Sequence, residues 1–225
     1  GGAEDPVAFE ILMIQANLLV AQRRPADAEP LLRRVLAFRE KSAGSHSPAV
    51  AEALIALGGM LKDMARFADA APPYERALAI LEKTDGPGSA SLLPALAALA
   101  ALRSAEGRFD ELEQLRLRSL DIRRRHAPPN DPDTLAELKE LAGLYHAQGR
   151  FGRAEPLYRQ VIAGIETAKG KDAADLASPL YMLALQLVSE ARYAEAAPLL
   201  HRALAIEEAA YGRDDPHLAE VLAAL

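Results

Sequence analysis

The chain has 225 residues, of which 50% are hydrophobic and 5% aromatic, and its formal net charge is −6. That length allows a sizeable buried core, and the abundance of Ala and Leu favours helices over sheets. The acidic balance argues against a nucleic-acid partner, and the absence of cysteine excludes thiolate catalysis and cysteine-ligated zinc. The sequence contains neither an apolar run of membrane-spanning length nor a signal-peptide pattern. We therefore expect a cytoplasmic protein without a membrane partner.

A short motif built on an arginine recurs along the whole chain. It begins at Arg24, Arg66, Arg108, Arg150 and Arg192. The interval is 42 residues every time, with no insertion or deletion. Such constant self-similarity predicts a repeat architecture.

Each period reads as two helices joined at the motif arginine. A leucine stands twelve residues before the arginine and a small residue eight before it, so the two share one helix face. The leucines are Leu12, Leu54, Leu96, Leu138 and Leu180, and the small residues are Ala16, Gly58, Ala100, Ala142 and Ala184. After the arginine come an aromatic and an alanine in most periods, and we expect the last such pair, Tyr193 and Ala196, to be core residues.

Helix starts are marked by an N-capping residue followed by proline. Ser47-Pro48 and Asp131-Pro132 each lie eighteen residues before the next motif position, as do Asp5-Pro6 and Asp215-Pro216. The Ser or Asp side chain can accept orphan amide hydrogen bonds, and proline is tolerated at the first helical position.

These offsets resemble the tetratricopeptide repeat. The long period and the wording of residues 149–159, which read Gly-Arg-Phe-Gly-Arg-Ala-Glu-Pro-Leu-Tyr-Arg, are similar to the 42-residue subclass of the kinesin light chain. The resemblance implies an all-α fold, a right-handed α-solenoid of antiparallel helix pairs with five repeats and a partial sixth. Residues 1–4 are interpreted as a tag remnant and tail. The rest is predicted to be a single array with repeats at about 5–46, 47–88, 89–130, 131–172, 173–214 and 215–225.

The resemblance also implies that the first helix of each repeat lines a concave face that holds a protein or peptide partner. The residues eleven, seven and four before each motif arginine fall on that face. The predicted partner-binding residues are Met13, Asn17, Val20, Ile55, Gly59, Lys62, Ser104, Lys139, Gly143, His146, Tyr181, Leu185 and Val188. The corresponding positions of repeat three also include Ala97 and Ala101. We expect affinity from the apolar ends and orientation from Lys62, Lys139 and His146.

No residue pattern predicts chemistry. The five histidines lack partners at diagnostic spacing, and there is no H-E-x-x-H, EF-hand, phosphate loop or nucleophile elbow. We therefore expect no catalytic residues, no metal, no cofactor and no enzyme activity.

Two functions stay open on the sequence alone. The first is a non-catalytic scaffold that binds a partner peptide or helix on the concave face. The second is a structural or regulatory segment of a larger multidomain protein, which would mediate self-association or control an attached effector domain. The second interpretation rests on the terminal helices, because the first is apolar nearly all round at 11–14 and 18–20. A homo-oligomer through such uncapped ends is therefore one expected partner. Repeat three is the irregular unit, with Leu112 and Gln114 where other repeats have Ala and Pro.

Overall fold

The computed structural model describes residues 6–22 and 24–212. Within these ranges the backbone forms ten α-helices and no strand, which confirms the all-α class. The helices are α1 Pro6–Ala21, α2 Pro25–Ala43, α3 Pro48–Asp63, α4 Phe67–Asp85, α5 Leu93–Ala105, α6 Phe109–His126, α7 Pro132–Ala147, α8 Phe151–Lys169, α9 Ala177–Ser189 and α10 Tyr193–Tyr211. Short 3-10 turns, Ala90–Leu92 and Ala174–Leu176, precede α5 and α9. The odd-numbered helices are the leading helices, and the even-numbered ones are the trailing helices.

The chain divides into two compact units, Gly1–Ile122 and Arg123–Leu225, here called unit 1 and unit 2. In unit 1, α1 packs on α2 and α3 on α4, while α5 packs on α3 and α4. In unit 2, α7 packs on α8 and α9 on α10, while α9 also contacts α7 and α8. A single array remains a prediction, and the predicted tail (1–4) and partial sixth repeat (215–225) lie outside the described residues.

The helix starts confirm the capping prediction where the structure describes the cap. Ser47 accepts the Val50 amide at 3.4 Å. The Asp131 carboxylate accepts the Thr134 amide at 2.8 Å, and this hydrogen bond lowers the pKa of Asp131. Both caps satisfy amide groups that have no partner inside the helix. Asp5 and Asp215 lie outside the described residues.

A left-handed residue ends each described leading helix from α3 onward. The residue before the motif arginine has a φ of 56° at Ala65, 71° at Gly107, 68° at Gly149 and 59° at Ala191. The chain reverses there because this backbone conformation breaks the helix. The motif arginine then precedes the first residue of the trailing helix.

The repeating leucines and small residues form the core. Leu96, Leu138 and Leu180 are 0% exposed and Leu54 is 3% exposed. The small residue leaves room for a side chain of the next helix. At Gly58 this side chain is Tyr74, because a methyl group on Gly58 would lie only 2.7 Å from the tyrosine ring. Ala196 is buried as predicted.

The prediction that Tyr193 is a core residue is wrong, because its side chain is 63% exposed. It is the first residue of α10, at the rim of its helix pair. The equivalent Phe109, the first residue of α6, is also 48% exposed. An aromatic at this offset is therefore not a reliable marker of the core.

Two of the motif arginines, Arg66 and Arg192, join their repeat to the preceding one by an ion pair, a role that the sequence pattern had not indicated. Arg192 binds Glu195 at 2.8 Å and also Glu155 of the preceding repeat at 2.7 Å. Arg66 binds Glu29 at 2.8 Å in the same way. The hydrogen bond from Arg192 holds the pKa of Glu155 below its ordinary value. The sequence signal was the glutamate five residues after one motif arginine and 37 residues before the next.

Candidate functional site

The predicted partner-binding residues all reach the surface of their leading helices. Asn17 and Ser104 are exposed, and the others are half-buried. Met13, Val20 and Ile55 also pack against the core of unit 1, so their free area is limited. We call the residues eleven, seven and four before each motif arginine the leading-helix face.

The leading-helix face of α7 has a glycine above a buried tyrosine. Gly143 has no side chain, and a methyl group there would lie 3.9 Å from the Tyr158 hydroxyl. Tyr158 is 1% exposed, and burial raises its pKa to about 12. Its hydroxyl has no hydrogen-bond partner among the described residues. A buried hydroxyl without a partner destabilises the fold, so a partner supplied by a ligand would be favourable.

His146 lies one turn further along the same face. Its ring contacts Phe151 with 5.5 Å between ring centroids. The Nδ1 atom is buried and, within the part of the chain that the structure describes, has no hydrogen-bond partner. Two buried polar atoms near this part of α7, the His146 Nδ1 of α7 and the Tyr158 hydroxyl of α8, are therefore unsatisfied.

A cavity of about 300 Å³ lies among the starts of α7 and α9 and the end of α8, and we call it the α7–α9 cavity. Its lining is Asn130, Pro132, Leu135, Ala136, Lys139, Val161, Ile165, Ala168, Lys169, Ala174, Asp175 and Ser178. Most of these side chains are apolar. The volume suits one large apolar side chain.

One positive charge in the α7–α9 cavity is unpaired. Lys169 forms an ion pair with Asp175 at the rim. Lys139 makes no hydrogen bond or ion pair within 6–22 and 24–212. An apolar cavity beside a free ammonium group favours a ligand with an apolar group next to a negative charge.

Of the predicted residues, only Lys139 lines this cavity. Gly143 and His146 lie further along α7, and Tyr181, Leu185 and Val188 lie further along α9. Ala136 and Ser178 also line the cavity but were not predicted, and both lie fourteen residues before a motif arginine. This position lies about one helical turn before the position eleven residues ahead of the arginine, where the predicted leading-helix face begins. Extending that face by one turn would have included both residues.

The described residues contain no candidate metal site and no membrane span. Among them, no group of three or more His, Asp or Glu side chains lies close enough to hold a metal ion. None of the helices in the described ranges is long and apolar enough to cross a membrane.

Comparison with known proteins places this arrangement in a family. The Tetratricopeptide repeat family model matches residues 8–83 and 91–167, and a second model of the same description matches 181–217. A search of curated proteins gave no match.

Three solved structures show the same fold. One is a Podosopora anserina protein described as a kinesin light chain with nearly identical TPR-like repeats: it is 23% identical, has a TM-score of 0.81, and the match covers 93% of this chain and all of that one. BtubC (BKLC) from P. vanneervenii is 21% identical with a TM-score of 0.79, covering 94% of this chain and 85% of that one. MamA is 15% identical with a TM-score of 0.64, covering 92% and 97%.

Tetratricopeptide repeat proteins are in general non-catalytic scaffolds for protein–protein interaction. The family models match most of this sequence, and the solved structures share its helix-pair fold. The chain therefore belongs to the tetratricopeptide repeat family, and its fold is that of the kinesin-light-chain-like repeats.

Proposed function

We propose that this chain is a non-catalytic scaffold that binds an extended segment of a protein partner on the leading-helix face of unit 2. The observation that carries the proposal is the α7–α9 cavity with the unpaired Lys139 at its side. An apolar side chain of the partner fills the cavity, and an adjacent Asp or Glu pairs with the Lys139 ammonium group.

Two unsatisfied polar atoms, one in α7 and one in α8, support a peptide that continues along α7 from the cavity. The Tyr158 hydroxyl and His146 Nδ1 have no partners in the described structure. An extended peptide carries one amide donor and one carbonyl acceptor per residue. Small shifts of these side chains would let the peptide backbone satisfy them, while Gly143 leaves room for its approach.

Selection from a library of random twelve-residue peptides displayed on phage tests this proposal. The wild-type chain is expected to select peptides with a large apolar residue next to Asp or Glu. Lys139→Glu should select an apolar residue next to Lys or Arg, because the charge beside the cavity is reversed. Affinity of the wild-type peptide for this variant should fall by about fivefold or more, as expected for the loss and reversal of one ion pair.

Lys83→Glu is the matched control. Lys83 is an exposed residue near the end of α4, and its reversal changes the net charge equally. This variant should select the same peptides as the wild type. Identical selections by wild type and Lys139→Glu would reject the α7–α9 cavity as the binding site.

The exposed apolar residues of α1 favour a second function, in which this helix packs against another helical element. Val7, Ile11, Ile14 and Leu18 are 62, 58, 68 and 55% exposed. Their spacing of four, three and four residues places them on one helix face. An exposed apolar stripe of this length is typical of a surface that another element covers.

The later repeats indicate what kind of element covers this stripe. The residues one and two periods after Ile11 and Leu18 are Ala53, Met60, Ala95 and Leu102, and all are at most 1% exposed. Their helices, α3 and α5, pack on the preceding helices α2 and α4. By equivalence we propose that a helix covers the α1 stripe, and a second copy of this chain is the occupant that we test.

Light scattering over a concentration series measures the self-association. The wild type should form dimers, and the Ile11→Glu, Ile14→Glu double variant should remain monomeric. Gln15→Glu adds a charge to the same helix beside the stripe and should leave the dimer intact. A wild type that stays monomeric at millimolar concentration would exclude the second copy as the occupant.

A further inference from the structure

Unit 1 contains a cavity built around an arginine at a core position. Arg103 lies five residues before its motif arginine, where the other repeats have Leu19, Leu61, Tyr145 and Leu187. It is nevertheless 5% exposed. Its three guanidinium nitrogens bind Glu75, Glu106 and Glu111, each at 2.8 Å. A buried charge persists only with such partners.

The cavity beside this cluster has a volume of about 420 Å³, and we call it the Arg103 cavity. Its lining is Glu75, Leu99, Arg103, Asp110, Glu111, Gln114 and Leu115. Leu99 and Leu115 provide apolar walls. The lining contains three carboxylates and one guanidinium group, so its net charge is negative at neutral pH.

The positive charge of Arg103 is already neutralised by its own carboxylates. Asp110 is different, because it makes no hydrogen bond or ion pair with any residue that the structure describes. The Glu111 carboxylate is shared between Arg103 and Arg108. The Glu75 side chain binds Arg103 through one oxygen and remains 56% exposed. Asp110 therefore supplies the unpaired negative charge that a cation entering the cavity would meet.

Asp110 and Gln114 are both specific to repeat three. Two residues after the motif arginine, the other repeats have Ala26, Ala68, Gly152 and Ala194. Six residues after it, they have Pro30, Pro72, Pro156 and Pro198. The polar groups of the Arg103 cavity are therefore departures from the repeat pattern and not consequences of the fold.

We propose that the Arg103 cavity binds a lysine or arginine side chain of a protein partner. The aliphatic part of that side chain contacts Leu99 and Leu115, and its cationic group pairs with Asp110 and with the exposed side of the Glu75 carboxylate. A metal ion fits the site less well, because the described residues hold no cluster of three ligands close enough to coordinate one. A neutral apolar side chain would leave Asp110 unpaired.

Methyl NMR of the whole chain with labelled leucines tests the proposal. The probes are N-acetyl-lysine N-methylamide and its neutral analogue of similar length, N-acetyl-norleucine N-methylamide. The lysine probe should shift the Leu99 and Leu115 methyl signals with a Kd on the order of 1 mM, as expected for a ligand of this size. The norleucine probe should bind at least about threefold more weakly, because it lacks the ion pair.

Asp110→Ala supplies the decisive variant. Since other repeats carry alanine at this offset, the substitution should leave the fold intact, at most removing a favourable interaction with the α6 dipole. It should raise the Kd of the lysine probe by about threefold or more. Asp172→Ala, which removes the same charge from an exposed residue of unit 2, should not change it.

Three outcomes would overturn the proposal. The first is equal affinity for the lysine and norleucine probes, which would indicate an apolar site. The second is an unchanged Kd in Asp110→Ala. The third is no shift of the Leu99 and Leu115 signals up to about 20 mM of the lysine probe, well above the expected Kd. The Leu135 methyl signals in the same spectra report on the α7–α9 cavity, so failure here is distinguishable from failure of the proposed function.

Discussion

In repeat four the position five residues before the motif arginine holds Tyr145, and in repeat three it holds Arg103; the two are 4% and 5% exposed. The same buried place thus takes an aromatic ring in one repeat and a guanidinium group with three carboxylates in the next. On the leading-helix face the pattern is reversed. Repeat three has Ala97, Ala101 and Ser104 there, whereas repeat four has a lysine and a histidine.

This difference shows that the repeat frame, meaning the backbone and core pattern that every repeat shares, varies independently of the side chains on the repeat surfaces. The turn before the motif arginine has nearly the same φ at Gly107 and Gly149. On that shared frame, repeat three concentrates charge around an acidic cavity of unit 1. Unit 2 instead places an unpaired lysine beside an apolar cavity. We therefore propose that the two units bind ligand groups of opposite charge.

The largest expected effect comes from removing the buried arginine. Arg103→Ala should destabilise α5 and α6 by about 3 kcal/mol, because it opens a void, removes the cation of Glu75 and leaves Glu106 and Glu111 paired with Arg108 alone. Native-state hydrogen exchange of the α5 and α6 amides measures this loss.

Arg103→Leu tests the same position with the regular core residue, because three other repeats have leucine at this offset. It should cost less than about 1.5 kcal/mol, since packing replaces the ion pairs. Equal losses in the leucine and alanine variants would show that repeat three cannot accept the regular core residue.

A second expected effect concerns the buried tyrosines of the regular repeats. Burial raises the pKa of Tyr74 and of Tyr158 to about 12. Because the unfolded value is lower, near 10, the stabilisation is complete below about pH 10 and is lost as the pH rises through the folded pKa. Each tyrosine should contribute about 2 kcal/mol to this alkaline loss, measured by urea unfolding across the pH series.

Tyr158→Phe isolates the contribution of unit 2. The alkaline loss in unit 2 should shrink, while stability at neutral pH should be unchanged or slightly higher, because a hydroxyl without a partner is removed. A clear loss of stability at neutral pH would mean that the Tyr158 hydroxyl has a hydrogen-bond partner in solution.

The third prediction concerns a substitution that reduces the size of the α7–α9 cavity without changing its charge. A methyl group at Gly164 would lie 2.5 Å from Leu135 Cδ2, so Gly164→Ala should push the flexible end of Leu135 towards the cavity. Affinity for a library-selected peptide should fall by about tenfold, with stability changed by no more than about 1 kcal/mol. Calorimetry and thermal unfolding measure the two quantities.

Gly152→Ala is the control for this prediction. It lies in the same helix, and a methyl group there has nothing within 4 Å. Its affinity should equal that of the wild type. A Gly164→Ala variant that binds equally well would contradict the proposed occupation of the cavity.

The sequence predicted the frame well because the frame is periodic. The leucines from Leu54 to Leu180 are buried, and Ser47 and Asp131 cap their helices as expected. These features depend on local rules of capping and helix-face spacing, which act within a few residues.

The sites were harder to predict because they depend on contacts between elements. Arg103 lies 28 residues from Glu75, and no local rule indicates that the two meet. The α7–α9 cavity draws on three helices and two loops, so only Lys139 was identified beforehand. Tyr193 shows the opposite error, because an aromatic residue at this offset suggests burial but its side chain is 63% exposed.

The most direct measurement is a crystal structure of the chain bound to a peptide selected from the random library. The proposed function predicts an extended peptide along α7 and α9, with one apolar side chain inside the α7–α9 cavity. It also predicts a peptide carboxylate within about 4 Å of Lys139 Nζ, the range of an ion pair. A peptide bound to the trailing helices of unit 2, or an empty α7–α9 cavity in the complex, would contradict it.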